Sequence, residues 1–329
     1  MNVELLTRLQ GRKLDMWTSF LARAELSVDA MPEKTVLVFD DEDELVATGS
    51  RDGNLLKYIA VDETRQGEGL TATVLTALRQ DAFVSGCSHL FLYTKPKNKF
   101  MFTSLFFYPV AQTDTVLLME DRKNGIQSFL DTLPAVDVRG TVGAAVMNCN
   151  PFTLGHRYLI ETAAKQCDRL YVFVLSEDKS QFSAADRLAL VKAGTADIAN
   201  VTVLPTGPYL ISSATFPTYF LKDREAAQTV QCLLDIEIFH KYFVPKFHIT
   251  HRFVGTEPLS PMTNMYNEAL LAHLPSKGVQ VHQIPRLETD SRPISASYVR
   301  SLLGTGQSEV LRTLVPQTTF DYLNEHDLI

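Results

Sequence analysis

The chain has 329 residues, enough for two domains of roughly 150 residues each. Its hydrophobic fraction of 45% and charged fraction of 21% are ordinary for a globular protein. The formal net charge of −7 argues against a general nucleic-acid binder, because the surface of such a protein would be basic.

Cysteine spacing and the absence of long apolar runs indicate the compartment. The four cysteines, Cys87, Cys149, Cys167 and Cys232, are far apart and form no CxxC pair, which favours reduced thiols over a disulfide framework. No apolar run approaches the length that spans a bilayer. Residues 1–4 lack the basic start and apolar stretch of a signal peptide. We therefore expect a cytoplasmic protein without membrane or nucleic-acid partners.

The first 135 residues predict an α+β domain. Short apolar runs, and apolar residues at helical or alternating spacing, define the elements. In chain order these are helices at 3–10 and 13–24, strands at 35–39, 44–50 and 54–61, a helix at 71–86, a strand at 89–94, an aromatic-rich helix ending near 109 and a helix at 125–133.

From residue 140 onward, strands and helices alternate. The nearly continuous apolar run Val142–Asn148 is typical of a parallel strand buried on both faces. A helical pattern through 159–167, a strand at 170–176 and a helix at 184–193 follow. This βαβ pattern predicts a parallel sheet. With a boundary in Leu133–Gly140, we predict an α/β chain with domains at 1–135 and 140–329.

The segment Asn148–His156 follows the first of these strands, at the edge where open α/β sheets bind ligands. Pro151 ends the strand, Thr153 is placed to cap the next helix, and His156 falls one turn later. A phosphate here would meet free N–H groups, the Thr153 hydroxyl and the imidazole, while Gly155 would let it approach the backbone. An ordinary capped helix with a surface histidine has the same spacing.

A second segment, Ile294–Leu303, combines similar groups at another predicted helix start. Ser295 and Ser297 lie near that start, and Arg300 stands one turn after Ser297. Hydroxyls, backbone amides and a guanidinium there suit a phosphate. By itself, a serine-capped helix with a surface arginine explains the spacing equally well.

Together the two segments resemble the T/H-x-G-H and I-S-S-T-x-x-R motifs of the nucleotidyltransferase superfamily, with Ala296 and Ser297 replacing the central Ser-Thr of the second motif. The resemblance implies a Rossmann-like domain that transfers adenylyl from ATP by in-line attack on the α-phosphate, with Mg²⁺ bridging the phosphates. It implies catalytic roles for Thr153, His156 and Arg300. The predicted nucleotide-binding residues are Asn148, Asn150, Phe152, Gly155, Gly255, Thr256, Glu257, Ser295 and Ser297. We predict no residue as a metal ligand.

Further segments are similar to the [citrate (pro-3S)-lyase] ligase family over nearly the whole chain. They are Phe182–Lys192 with its Asp186-Arg187-Leu188 core, Thr206–Tyr209, Phe216–Lys222, Gly255–Pro258 and Tyr266–Asn267. The resemblance implies that ATP and acetate form acetyl adenylate and pyrophosphate. The acetyl group would then pass to the thiol of a CoA-like prosthetic group on the acyl carrier subunit of citrate lyase, with release of AMP. Acetate and the partner follow from the resemblance alone.

The first domain resembles the GNAT acetyltransferase fold. Its Gly67-Glu68-Gly69 lies between a predicted strand and helix, where GNAT proteins hold the pyrophosphate of CoA on backbone amides. The residue three positions before the first glycine is Thr64, where that family has Gln or Arg. Gly67 and Gly69 are therefore compatible with docking of the carrier's CoA-like arm, with a purely structural turn, or with a separate acetyltransferase activity.

Two other functions use the same residues. A simple adenylyltransferase of the pantetheine-phosphate adenylyltransferase kind would need the same T-x-G-H site, but it leaves the first domain and the long insert between Thr206 and His251 unexplained. A regulatory subunit that merely retains a nucleotide fold would have no need for Thr153, His156, Ser295 and Arg300.

Overall fold

The computed structural model describes residues 1–136, 139–177, 180–210, 217–221, 224–257, 260–289 and 292–329, with backbone alone at 224–227 and 292. The chain packs into two compact units, Met1–Ile126 with Pro217–Val230 and Gln127–Phe216 with Gln231–Ile329. The domain limits 1–135 and 140–329 stay predictions. Asp137, Val138, Phe216, Lys222 and Pro258, which belong to segments quoted above, lie outside the described residues.

The first unit is built on a mixed seven-stranded sheet in the order β1-β2-β3-β4-β5-β7-β6. The parallel pair is β4 with β5, and all other neighbours are antiparallel. Helix α2 packs Val74, Leu75 and Leu78 into the main core of this unit. The elements are β1 (Asn2–Leu6), α1 (Gly11–Arg23), β2 (Lys34–Phe39), β3 (Leu45–Asp52), β4 (Leu55–Val61), α2 (Leu70–Val84), β5 (Phe91–Thr94), α3 (Lys99–Ser104), β6 (Tyr108–Gln112) and β7 (Leu117–Glu120). Helix α4 (Gly125–Asp131) begins in this unit, and its residues from Gln127 onward belong to the second.

The segment at 217–221 belongs to this unit because Asp29 holds it. The Asp29 carboxylate accepts from the Thr218 N–H at 3.0 Å. The Tyr219 ring lies 4.8 Å from that of Tyr58, and the Tyr58 hydroxyl bonds Asp29. The carboxylate also accepts from Lys57, which is 5% exposed. The Lys57–Asp29 ion pair and the contact between the two tyrosine rings therefore join parts of the chain that are far apart in sequence.

Two helix predictions in the first unit are wrong. Residues 2–6 form strand β1, not a helix, and pair with β2. A short apolar run is compatible with both the helical and the strand spacing of apolar residues. Here the edge of β2 offers unpaired backbone groups, and residues 2–6 pair with them as a strand. The aromatic-rich helix stops at Ser104, since Phe106 has a positive φ of 61°, and strand β6 begins at Tyr108.

The second unit contains a five-stranded parallel sheet in the order β10-β9-β8-β11-β12. It confirms the predicted α/β class with a parallel sheet in the second half. The elements are β8 (Val142–Met147), α5 (Leu154–Ala164), β9 (Arg169–Val174), α6 (Ala184–Gly194), β10 (Val201–Pro205), α7 (Arg224–Ile238), a π-helical turn (Phe239–Phe243), α8 (Val244–Phe247), β11 (His251–Gly255), α9 (Pro261–His273), β12 (Gln280–Ile284), a short hairpin β13 (Glu288–Thr289) and β14 (Arg292–Pro293), α10 (Ala296–Leu302), α11 (Ser308–Arg312) and α12 (Gln317–Glu325). The residues of α7 up to Val230 belong to the first unit.

The strand order reverses between β8 and β11. From β8 the chain moves through β9 and β10 to one edge, and later returns to place β11 and β12 on the other side of β8. At such a switch point the connections leave in opposite directions and open a crevice at the carboxyl ends of the strands. Within the part of the chain that the structure describes, no helix is long and apolar enough to cross a membrane.

Candidate nucleotide site

A cavity of about 530 Å³ lies at the carboxyl ends of β8 and β11. It brings together most of the residues that the sequence predicts to bind nucleotide: Asn148, Thr153, Gly155, His156, Gly255, Glu257, Ser295 and Ser297. The two predicted motifs, far apart in sequence, thus line one pocket. Four of the predicted residues are not among the described lining residues: Asn150, Phe152, Thr256 and Arg300. They contact residues that line the cavity or the loops that carry them.

Thr153 and His156 form a capping box at the start of α5. The Thr153 hydroxyl accepts from the His156 N–H at 3.4 Å and lies 2.9 Å from His156 Nδ1. The Thr153 side chain is 1% exposed. Its hydroxyl therefore fixes the histidine ring. The predicted contact of this hydroxyl with a phosphate stays a prediction.

The backbone sets the tautomer of His156. Nδ1 accepts from the Thr153 N–H at 3.1 Å, so in the neutral ring the proton is on Nε2. Burial, followed by the positive charge of Arg286, lowers the pKa of His156 to about 4. At neutral pH the ring is thus an uncharged N–H donor.

Three predicted residues form the wall behind the cavity. Arg300 donates from Nη1 to the Asn150 carbonyl and so ties α10 to the loop after β8. The Asn150 side chain accepts from the Phe182 N–H at 3.2 Å. Phe152 is fully buried, and its ring stacks on that of His156 with centroids 6.0 Å apart. Arg300 and Asn150 thus join the two motifs, and Phe152 supports the His156 ring from the protein interior.

Gly155 permits the close approach of the two motifs. A Cβ at this position would lie 3.0 Å from the carbonyl oxygen of Ile294, the residue before Ser295. Real Cβ atoms rarely come so near a backbone atom. The glycine therefore brings α5 and the start of α10 together, in addition to leaving room for a phosphate.

Sequence reasoning missed Arg286, a further cation in this cavity. It follows β12, lines the cavity and forms an ion pair with Glu257. Its Nε donates to the Thr256 carbonyl at 2.9 Å, and its backbone N–H donates to the Thr256 hydroxyl at 3.2 Å. Its place just beyond a strand of a parallel sheet was the signal that could have found it.

The chain is similar to citrate lyase ligases over nearly its whole length. The citrate lyase ligase C-terminal domain family matches residues 142–323. A [citrate [pro-3S]-lyase] ligase of Klebsiella pneumoniae is 41% identical over 310 residues, covering 92% of this chain and 90% of the relative. That of Escherichia coli K12 is 39% identical over 323 residues, covering 96% and 92%. The chain belongs to the [citrate (pro-3S)-lyase] ligase family. It is an enzyme of this ligase class.

Solved structures share parts of the fold at low similarity. An acyl-CoA N-acyltransferase from Pseudomonas aeruginosa is 11% identical, with a TM-score of 0.32, covering 37% of this chain and 100% of that one. The Thermotoga maritima TmcAL bound with alpha-thio ATP is 15% identical, with a TM-score of 0.34, covering 56% of each chain. Identities and TM-scores this low do not indicate a shared function.

In this ligase-family chain, Arg187 shapes the loops that frame the cavity. In the sequence, Arg187 is recognisable only as part of the family segment Phe182–Lys192. Its side chain is fully buried and donates to the carbonyls of Phe182, Asn148, Leu175 and Glu177. It also donates to the Asn148 side chain at 2.6 Å. One guanidinium therefore joins the loop after β8 to the loop after β9.

The first unit contains a separate cavity of about 580 Å³. Strands β4 and β5 pair through Leu55 with Phe91 and Leu56 with Leu92. Both strands then continue past this paired region, β4 to Val61 and β5 to Thr94. The cavity is lined by their later residues, by basic side chains that include Lys95 and Lys97, and by Gly67 and Gly69, which have φ of 90° and 78°. Gly69 precedes α2, whose first backbone N–H groups have no side-chain cap.

Proposed function

We propose that this chain activates acetate with ATP as acetyl adenylate and then acetylates the prosthetic-group thiol of the citrate lyase acyl carrier subunit. The observation that carries the proposal is the single cavity lined by Thr153, His156 and Ser295, in a chain of this ligase family. A cytoplasmic location goes with the proposal.

In the first step, an acetate oxygen attacks the α-phosphorus of ATP. A P–O bond forms, the bond from the α-phosphorus to the bridging oxygen breaks, and pyrophosphate leaves. The protein has to align the reactants and stabilise the charge that develops on the phosphoryl oxygens. His156 donates its Nε2–H to these oxygens. At the start of α5, Leu154 N–H donates to the Leu314 carbonyl and His156 N–H to the Thr153 hydroxyl, so the N–H of Gly155, which lines the cavity, is the backbone donor offered to the phosphate.

In the second step, the thiolate of the carrier's CoA-like arm attacks the acyl carbon. A C–S bond forms, the bond between the acyl carbon and the phosphate oxygen breaks, and AMP leaves. The thiol proton passes to solvent. An anhydride of a carboxylic acid with AMP is activated enough for this attack, whereas free acetate is not.

Mg²⁺ belongs to the proposal as an ion that the ATP phosphates bring. Among the described ranges, no group of three His, Cys, Asp or Glu side chains is arranged to hold a metal. Mg²⁺ keeps several waters and takes one or two protein ligands when it binds with a nucleotide. Such binding is compatible with this cavity, and Mg²⁺ supplies charge neutralisation of the leaving pyrophosphate.

We include in this proposal that the carrier's CoA-like arm docks in the cavity of the first unit, on Gly67 and Gly69. Lys97 gives that cavity positive charge beside the first N–H groups of α2, which have no side-chain cap, whereas Lys95 is paired with Glu25. A positive charge beside such N–H groups suits the phosphates of the arm. Lys97→Glu should weaken transfer to the carrier and leave acetate-dependent ATP–pyrophosphate exchange unchanged. Exposed Lys123→Glu is the control. Transfer by Lys97→Glu that equals the control would contradict this docking.

Acetate-dependent ATP–pyrophosphate exchange tests the first step directly. The unaltered protein should exchange with acetate, and His156→Ala should lose about 10²- to 10³-fold in rate, the usual effect of removing one preorganised donor. Circular dichroism of the variant controls for folding. If the protein exchanges with none of the short acids tested, acid activation is refuted, and an adenylyltransferase whose acceptor is a phosphate is favoured.

A further inference from the structure

Arg252 is a buried cation whose hydrogen bonds are incomplete. It stands in β11, is 2% exposed, and lines the cavity at the switch point. Its Nε and Nη1 have no hydrogen-bond partner among the described residues. A buried charged donor without an acceptor is destabilising, because it has lost water and gained nothing in exchange.

The neighbours of Arg252 interact with only some of the N–H groups of its guanidinium. Its guanidinium lies over the Phe239 ring, 5.0 Å from the centroid, in the π-helical turn. Tyr266 lies within hydrogen-bonding reach and donates its own hydroxyl to Asp235, which is 7% exposed. Burial lowers the pKa of the Arg252 guanidinium, and Tyr266 and Asp235 oppose that shift. Positive charge is thus held in place with N–H groups still unmatched.

Small apolar side chains complete the surroundings of this guanidinium, beside Phe239, Tyr266 and Asp235. The register sets Arg252 opposite Ala144, so Val146 and Val254 share its face of the sheet. Both valines line the cavity. Phe253 alternates to the other face and packs with α5, which begins at the His156 motif. The cavity therefore reaches both faces of the sheet, with the phosphate motifs on one and Arg252 on the other.

We propose that Arg252 binds the carboxylate of the acid substrate and that the valine walls select a short chain. Nε and Nη1 are closed to solvent in this structure. When the acid binds, the side chain would turn so that these N–H groups receive the carboxylate oxygens, and the methyl group would lie against Val146 and Val254. A charge-assisted hydrogen bond in a partly dry site is among the stronger polar contacts available. This inference rests on the proposed acid activation and specifies where the acid binds.

The test is the KM for each substrate in ATP–pyrophosphate exchange. Arg252→Lys keeps the charge but loses the planar donor set. We expect its KM for acetate to rise about 10- to 100-fold, the range for lost hydrogen bonds to a charged group, with the KM for ATP unchanged. The matched control is Arg169→Lys. Arg169 also has a buried Nε without a partner among the described residues, but it opens β9 at the opposite end of the sheet.

Several outcomes would overturn the assignment. An unchanged KM for acetate in Arg252→Lys, or equal rises for acetate and ATP, would show that Arg252 does not bind the acid. If the unaltered protein exchanges with no acid, the proposed function fails and this assignment fails with it.

A second measurement does not depend on the variant folding. A crystal structure of the unaltered protein with the stable adenylate analogue acetyl-sulfamoyl adenosine should place the acetyl group against Arg252, Val146 and Val254. An acetyl group bound away from Arg252 would refute the proposal.

Discussion

Replacing Arg187 with methionine tests whether one buried guanidinium holds the loops around the cavity. Arg187 donates to Phe182 O at 3.1 Å, to Asn148 O and Leu175 O at 2.9 Å each, and to the Glu177 carbonyl and the Asn148 side chain. Methionine fills much of the same volume but donates no hydrogen bond, so Arg187→Met isolates the polar contribution.

The magnitude follows from these contacts. A hydrogen bond to a charged group contributes about 1.5–3 kcal/mol, but five bonds to one group are not additive, because loop carbonyls can move towards water. Each neutral acceptor that is left buried without a partner costs about 1–3 kcal/mol, and roughly two or three of the five stay buried after such relaxation. We therefore expect Arg187→Met to lower the free energy of unfolding by about 3–5 kcal/mol, towards the upper limit for single substitutions.

Urea unfolding, followed by circular dichroism, measures this loss. The control is Arg312→Met, which removes an exposed guanidinium 4.0 Å above the Phe320 ring and should cost about 1 kcal/mol or less. Below its unfolding range, Arg187→Met should also bind ATP more weakly, since Asn148 lines the cavity. A stability loss no larger than that of the control would refute the idea that Arg187 frames the site.

Three further predictions concern the start of α5. Because the pKa of His156 falls from 6.5 to about 4 on folding, the unfolded chain binds a proton between these values that the folded chain does not. Stability should therefore decrease as pH falls through this window, by at most about 1.4 kcal/mol per pH unit. In urea unfolding at pH 7 and pH 5, His156→Asn should lose less stability on acidification than the unaltered protein; an equal loss in both proteins would contradict the assigned shift. Gly155→Ala should lower the free energy of unfolding by about 1–3 kcal/mol and raise the KM for ATP, since its Cβ would press on the Ile294 carbonyl; an unchanged melting temperature would show that the contact relaxes freely. Thr153→Ala should cost about 1 kcal/mol through loss of the cap and also slow exchange, as His156 loses its hydroxyl partner; full exchange activity would mean that the backbone N–H alone fixes the ring.

The sequence by itself determined the parts of this protein that local chemistry controls. The apolar run at Val142–Met147, the proline that follows it and the capping residue Thr153 are sufficient to predict a buried strand and the start of a helix. The motifs at His156 and Arg300 were recognisable because their spacing is set within one turn of a helix. The alternation of strands and helices likewise predicted a parallel sheet, because such strands need crossover connections.

Only the tertiary structure decided which distant residues share a site. The strand order puts β11 beside β8, so Arg252 and Arg286 enter a cavity whose other residues come from motifs far away in the sequence. The same holds for β1. Its short apolar run is compatible with a helix or a strand, and pairing with the edge of β2 makes it a strand. It holds also for the segment at 217–221, which Asp29 binds to the first unit. Burial and long-range pairing are properties of the packed chain, and no local pattern encodes them.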